Sequence, residues 1–229
     1  MLSDAEWEIV GLSLRVGLVA VVAVLPLALA LAFLLARRDF PGKILLDGLI
    51  HLPLVVPPVV TGWVLLLLFS PEGPIGRPLE ALFGASVLFR WTGAAIAAGV
   101  MALPLMVRAI RLSLEAVDRR YEEAARTLGA THWQSLLRIT LPLSLPGMVA
   151  GVVLGFARAL GEFGATVTFV SNIPGETRTL PLAIYAALQS PDGESIVIRL
   201  AIISTLIALA ALVLSELLAR RIGRGVHVL

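Results

Sequence analysis

Apolar runs close to the length of a membrane crossing recur along the whole of this chain, at residues 12–36, 49–69, 91–110, 143–170 and 196–219. A helix needs about 20 apolar residues to cross the hydrocarbon of a bilayer. Backbone polar groups are satisfied there only inside a helix or a closed barrel. Unbroken apolar runs of this length, without period-two alternation, select the helix. The expected fold is an all-α integral membrane protein with about five transmembrane helices, forming one domain over 1–229. Composition agrees: hydrophobic residues are 58% of the chain and charged residues 15%, with a mean hydropathy of +0.94. Soluble domains run at about 45–50% and about 25%. No length is left for a separate soluble domain. There is no cysteine, which excludes disulfides and thiolate metal sites. The first run is too long for a signal-peptide core, lacks a basic leader and has no small-residue cleavage site before Arg37. It is expected to be a retained helix.

The formal charge of +2 and pI near 9.7 report topology rather than nucleic-acid binding, because the basic residues sit between the apolar runs. Arg37, Arg38 and Lys43 follow the first run. Arg108, Arg111, Arg119, Arg120, Arg126 and Arg138 lie at and beyond the end of the third, and Arg220, Arg221 and Arg224 follow the fifth. Only Arg77, Arg90 and Arg178, with Arg199 at the start of the fifth run, fall on the other side. The positive-inside rule then puts the N-terminus outside and the C-terminus in the cytoplasm. Residues of about 115–142 become a cytoplasmic loop.

That loop carries Glu123-Ala124-Ala125, then Gly129, then Ile139-x-Leu141-Pro142. The pattern predicts a short helix over 121–128, a break at Gly129 and a second helix over 131–141. Glycine tolerates the left-handed conformation that ends a helix, and Pro142 is expected to stop the second one. The small Ala124 and Ala125 admit a close partner surface. Glu123 can pair with a partner cation, and Trp133, Leu136 and Leu137 offer apolar contact. From residue types alone, an amphipathic loop resting on the protein's own cytoplasmic face fits equally well. The full spacing E-A-A-x3-G-x9-I-x-L-P resembles the signature loop in permease subunits of binding-protein-dependent ABC importers. The resemblance implies a coupling helix docking on a separate ATPase subunit, with Glu123, Ala124, Ala125, Gly129, Ile139, Leu141 and Pro142 forming the ATPase-coupling set.

Candidates for a translocation path come from features that are costly inside a membrane. Arg158 and Glu162 are ionisable and four apart in the fourth run, so they can share a helix face and pair. They form either a structural pair or the border of an anion path. Pro57 and Pro58, with Thr61 after them, break helical hydrogen bonding in the second run. Broken helices line cavities in transporters, and a plain kink is the other reading. Met101 and Pro104 fit either an apolar constriction or ordinary packing. Thr166, Thr168, Ser171 and Asn172 are candidate hydrogen-bonding groups for an oxyanion, and Arg178 is a candidate for attracting one or docking a partner. Gly147, Gly151, Gly155 and Ala159 recur every four residues, a small-residue stripe that favours close helix packing. His51, His132 and His227 show no metal-ligand spacing. Neither HExxH nor GxSxG is present. Lys43 is the chain's single lysine and has Arg37 where a phosphate-binding loop needs glycine, so no Walker A sequence exists.

Several further stretches resemble molybdate ABC transporter permeases: 40–43 (FPGK), 51–58 (HLPLVVPP), 161–166 (GEFGAT) and 171–181 (SNIPGETRTLP). Sulfate permeases share weaker versions. This resemblance covers nearly the whole chain and implies a type I ABC importer permease fold in the cytoplasmic (inner) membrane of a prokaryote. It also implies a homodimer, two cytoplasmic ABC ATPase subunits and a periplasmic or surface molybdate-binding protein. No cofactor is expected on this subunit: ATP and Mg would be used by the ATPase partner. The expected partners otherwise are membrane lipid and no nucleic acid.

Overall fold

The computed structural model describes residues 2–84 and 86–226, and His227 lies outside them. Every regular element among these residues is helical. Four helices are long and apolar enough to cross a membrane, and a bent pair brings the number to five.

Helix α1 (Asp4–Arg37) starts well before its apolar run because Ser3 and Glu6 form a capping box. The Ser3 hydroxyl accepts from the Glu6 amide while the Glu6 carboxylate accepts from the Ser3 amide, satisfying orphan donors reciprocally. At 34 residues and about 1.5 Å per residue, α1 exceeds the hydrocarbon thickness and must tilt or project. The second apolar run is not one helix. It folds as α2 (Lys43–Val55) and α3 (Pro58–Phe69), meeting at 111°. Pro57 and Pro58 are the cause: neither has an N–H to give, and each ring obstructs the preceding turn. A short amphipathic helix, α4 (Gly76–Phe83), precedes the continuous α5 (Trp91–Glu115), which contains Pro104.

The polar loop forms α6 (Arg119–Thr127) and α7 (His132–Ser135). Contrary to the sequence expectation, Pro142 does not end the second of these. The chain passes through a π-turn at Leu136–Thr140 straight into α8 (Leu141–Leu160), with Pro142 in its first turn. A proline ring obstructs the carbonyl four residues earlier, and widening the preceding turn by one residue relieves that clash.

The fourth run is also broken. α8 stops at Leu160, and a separate short helix, α9 (Gly164–Val170), follows after three residues. The chain closes with α10 (Leu180–Leu188) and α11 (Glu194–Val226).

Helices α1, α5 and α8 make the core, with α11 packed on α8 and the α3–α9 pair against α5. Small residues set the spacing. The stripe on α8 faces α5: a Cβ on Gly147 would strike Ser113, one on Gly151 would lie 3.0 Å from Ala109 Cβ, and one on Gly155 would lie 2.5 Å from Met106 Cγ. The favoured packing role of that stripe is what the geometry shows.

Candidate functional site

One end of the bundle gathers most of the arginines, and the loop pattern lies there. α6 starts from Asp118, whose carboxylate accepts from the Arg120 amide. It ends in a Schellman motif: Ala130 N–H bonds the Ala125 carbonyl at 3.0 Å, and Gly129 N–H bonds the Arg126 carbonyl at 3.0 Å. Gly129 holds φ = +89°, the left-handed conformation that motif requires. Thr131 and Gln134 form a second capping box that starts α7. The hairpin is fixed by its own caps rather than by burial.

No residue of α6 is buried. Glu123, Ala124 and Gly129 are exposed, Ala125 and Ile139 are half-buried, and Leu141 and Pro142 sit at the start of α8. Around them Tyr121, Leu128, Trp133 and Leu137 are 58%, 89%, 69% and 58% exposed. Of the residues expected from sequence to offer apolar contact, Trp133 and Leu137 are exposed and Leu136 is only half-exposed.

Behind the exposed side, Glu122 turns inward. Its Oε1 lies 2.9 Å from Arg37 Nη2 and accepts a 2.6 Å hydrogen bond from the Thr140 hydroxyl. Arg37 Nη2 also donates to the Leu114 carbonyl at 3.1 Å. Sequence reasoning missed this cluster and used Arg37 only as a topology marker and to exclude a Walker A loop. Arg37, Arg38, Arg119, Glu122, Glu123 and Arg126 line a cleft of about 400 Å³. Nearby, the Lys43 ammonium hydrogen-bonds Asp39 at 2.9 Å and holds that carboxyl below its ordinary range, with a smaller contribution from Arg119. His51 donates to the Asp47 carbonyl oxygen within α2, and His132 opens α7. Neither sits in a cluster of metal-ligating side chains among the described residues.

The path candidates separate into two groups. Pro57, Pro58 and Thr61 lie at the α2–α3 bend, and Thr61 lines an apolar cavity of about 290 Å³ with Leu49, Leu52, Val60 and Val64. Arg158 and Glu162 do pair, at 2.6 Å. The second Glu162 oxygen accepts from the Ala165 amide at 2.8 Å, so this buried carboxylate caps α9 across the break. Arg158 keeps 25% of its side-chain exposure. By contrast Met101, Pro104 and Thr166 are buried. In this conformation all three pack inside the subunit, Met101 and Pro104 on the buried face of α5 and Thr166 on that of α9.

Thr168, Ser171, Asn172 and Arg178 are committed locally. The Thr168 hydroxyl donates to the Gly164 carbonyl, and the Thr177 hydroxyl donates to that of Ser171. Arg178 Nε donates to Asn172 Oδ1 at 2.9 Å. Glu6 and Arg199 pair at 2.8 Å at the same end of the molecule, opposite the arginine-rich face.

Residues 25–224 match the family described as binding-protein-dependent transport system inner membrane component. The chain is 57% identical over 220 residues to the molybdenum transport system permease protein ModB of Escherichia coli (strain K12), covering 96% of each. It is 42% identical over 200 residues to the sulfate transport system permease protein CysT of the same organism, covering 86% of this chain and 71% of the relative. Its fold resembles, with a TM-score of 0.73 at 17% identity, a chain of a bacterial ABC transporter involved in the import of the acidic polysaccharide alginate. That likeness spans 96% of this chain and 80% of the other. With its helical bundle and exposed hairpin, this chain belongs to the family of binding-protein-dependent transport system inner membrane components.

Proposed function

We propose that this chain is the membrane-spanning permease subunit of an ATP-driven importer of molybdate, with tungstate accepted through shared charge and shape. The observation that carries this reading is the 57% identity to a molybdenum permease over 96% of both chains. The lower identity and partial coverage of the sulfate permease make sulfate the second choice. Two copies of this subunit would enclose one path, served by two cytoplasmic ATPase subunits and a periplasmic or surface binding protein. The N-terminus lies outside and the C-terminus in the cytoplasm, supported by the arginines collected around the hairpin.

The physics of the substrate fits. A dianion entering a negatively charged cell works against roughly 4–5 kcal/mol per 100 mV, twice the single-charge value. Accumulation therefore requires an energy source, and because this sequence has no Walker A motif, that source is ATP hydrolysed on the partner subunit. The hairpin spanning 115–142 is the coupling segment. Glu123, Ala124, Ala125, Gly129, Ile139, Leu141 and Pro142 shape it, while Tyr121, Leu128 and Trp133 supply apolar contact. On the path side, the α2–α3 bend at Pro57, Pro58 and Thr61 and the half-exposed Arg158 are the candidates. Glu162 holds Arg158, and Met101, Pro104 and Thr166, buried in this conformation, are the remaining candidates. The subunit itself makes and breaks no covalent bond.

The test is uptake of labelled molybdate into proteoliposomes containing this subunit, its ATPase and its binding protein. Uptake is expected to require ATP, to be blocked by tungstate but not by sulfate, and to be lost in Glu123→Arg. Competition by sulfate would move the substrate to oxyanions in general. Uptake indifferent to ATP and to Glu123→Arg would overturn the importer reading.

A further inference from the structure

α6 offers few holds to the rest of the molecule. It packs chiefly on α7 and the π-turn, which belong to its own hairpin. Among the described residues, Glu122 is the one α6 side chain bonded beyond that hairpin. Its partner, Arg37, is the last residue of α1, and the same guanidinium nitrogen reaches the carbonyl of Leu114 in the last turn of α5. That carbonyl has no partner within a regular helix end and is free to accept. Thr140, fully buried in the π-turn, gives its hydroxyl to the same Glu122 oxygen.

Four elements therefore meet at one ion pair. Arg37 and Glu122 each keep only 12% side-chain exposure, so the pair is largely withdrawn from solvent. Removing either partner would strand a charge. Both acceptors of Arg37 are served by one guanidinium nitrogen whose two hydrogens are fixed in the guanidinium plane, whereas the lysine ammonium is a freely rotating point charge.

We propose that Arg37 is a positioning residue for the import cycle, making α1 and α5 follow the coupling helix. The inference rests on the coupling role proposed above for residues 115–142. A displacement imposed on α6 by the ATPase has two routes into the bundle. One is the covalent run into α8, which passes through the π-turn, a break in the regular ladder of the kind at which helices kink and which would act as a hinge here. The other is the Glu122–Arg37 pair, which bypasses that hinge. The two neighbouring glutamates divide the work: Glu123 faces the partner and Glu122 holds the bundle.

The test uses the complete transporter in proteoliposomes with molybdate as the probe. The quantity read is molybdate transported per ATP hydrolysed, in complexes that still contain the ATPase. Arg37→Ala and Glu122→Gln are each expected to lower this ratio about tenfold, within the range by which non-contacting residues modulate coupling. Their combination should be no worse than either alone, since both remove one interaction. Thr140→Val and Arg37→Lys should give smaller losses. Unchanged ratios, or losses that simply add, overturn the proposal. If Arg37→Ala fails to assemble, Thr140→Val and Arg37→Lys decide it, and unchanged ratios in both also overturn it. A wild-type complex without ATP-dependent uptake, or one indifferent to Glu123→Arg, would instead remove the coupling reading on which the inference rests.

Discussion

At the scale of single residues, the glycines show how little tolerance the α3–α9 contact has. A Cβ on Gly62 would sit 2.5 Å from the Ala165 carbonyl oxygen and 2.9 Å from Thr168 Cβ, whereas one on Gly11 meets nothing within 4 Å. Backbone cannot retreat as a flexible side chain can. Gly62→Ala is therefore expected to destabilise the detergent-solubilised protein by about 1–3 kcal/mol, in line with other overpacked sites. Gly11→Ala should leave the melting temperature where it is. Equal melting temperatures for the two variants would show that the α3–α9 contact yields. Charged residues were legible only where their partner is local. Arg158 and Glu162 are four apart, and spacing alone suggested their pairing. Glu122 and Arg37 come from different parts of the chain, and no periodicity links them.

At the scale of elements, proline has three different outcomes. Pro57 and Pro58 together turn the chain by 111°, Pro104 sits inside the continuous α5, and Pro142 is absorbed by a π-turn. The difference lies in what surrounds each freed carbonyl, which the sequence does not display. For Pro142 the consequence is testable. Pro142→Ala removes the ring that holds the π-turn open, and collapse to a regular helix would turn α7 by about 100° relative to α8. The hairpin would then present a different face. Uptake is expected to drop several-fold, while helix content by circular dichroism stays constant. Full uptake with full stimulation of the ATPase would mean that the register of α7 is immaterial to docking.

At the scale of the whole molecule, the arginine-rich end and the Glu6–Arg199 end set a direction. The cysteine-free sequence makes that direction easy to measure, because any introduced thiol is the sole target. Glu8→Cys and Arg120→Cys replace exposed residues at opposite ends. A membrane-impermeant maleimide should label Glu8→Cys in intact cells and Arg120→Cys only in inverted vesicles. The reverse pattern would invert the topology and remove the hairpin from the compartment that holds ATP.

Helical class and the position of the polar hairpin were legible in the residues alone, whereas two of the five expected runs, the second and the fourth, fold as broken helices. Class and hairpin depend on run length, on hydrophobicity and on short-range signals such as Gly129 and the capping residues, all of which act within a few residues. The sequence also carried the family, because the loop pattern and the stretches 51–58 and 171–181 are contiguous. Tertiary structure decided the rest. It broke the fourth apolar run at 161–163, where the Glu162 carboxylate supplies α9 with an acceptor in place of a helical carbonyl. It also carried the helix through Pro142 and buried Met101, Pro104 and Thr166. Finally, it brought Arg37, Leu114, Glu122 and Thr140 to one point. Each of these outcomes turns on which distant groups become neighbours, and that is set by how helices pack rather than by the order of residues along any one of them.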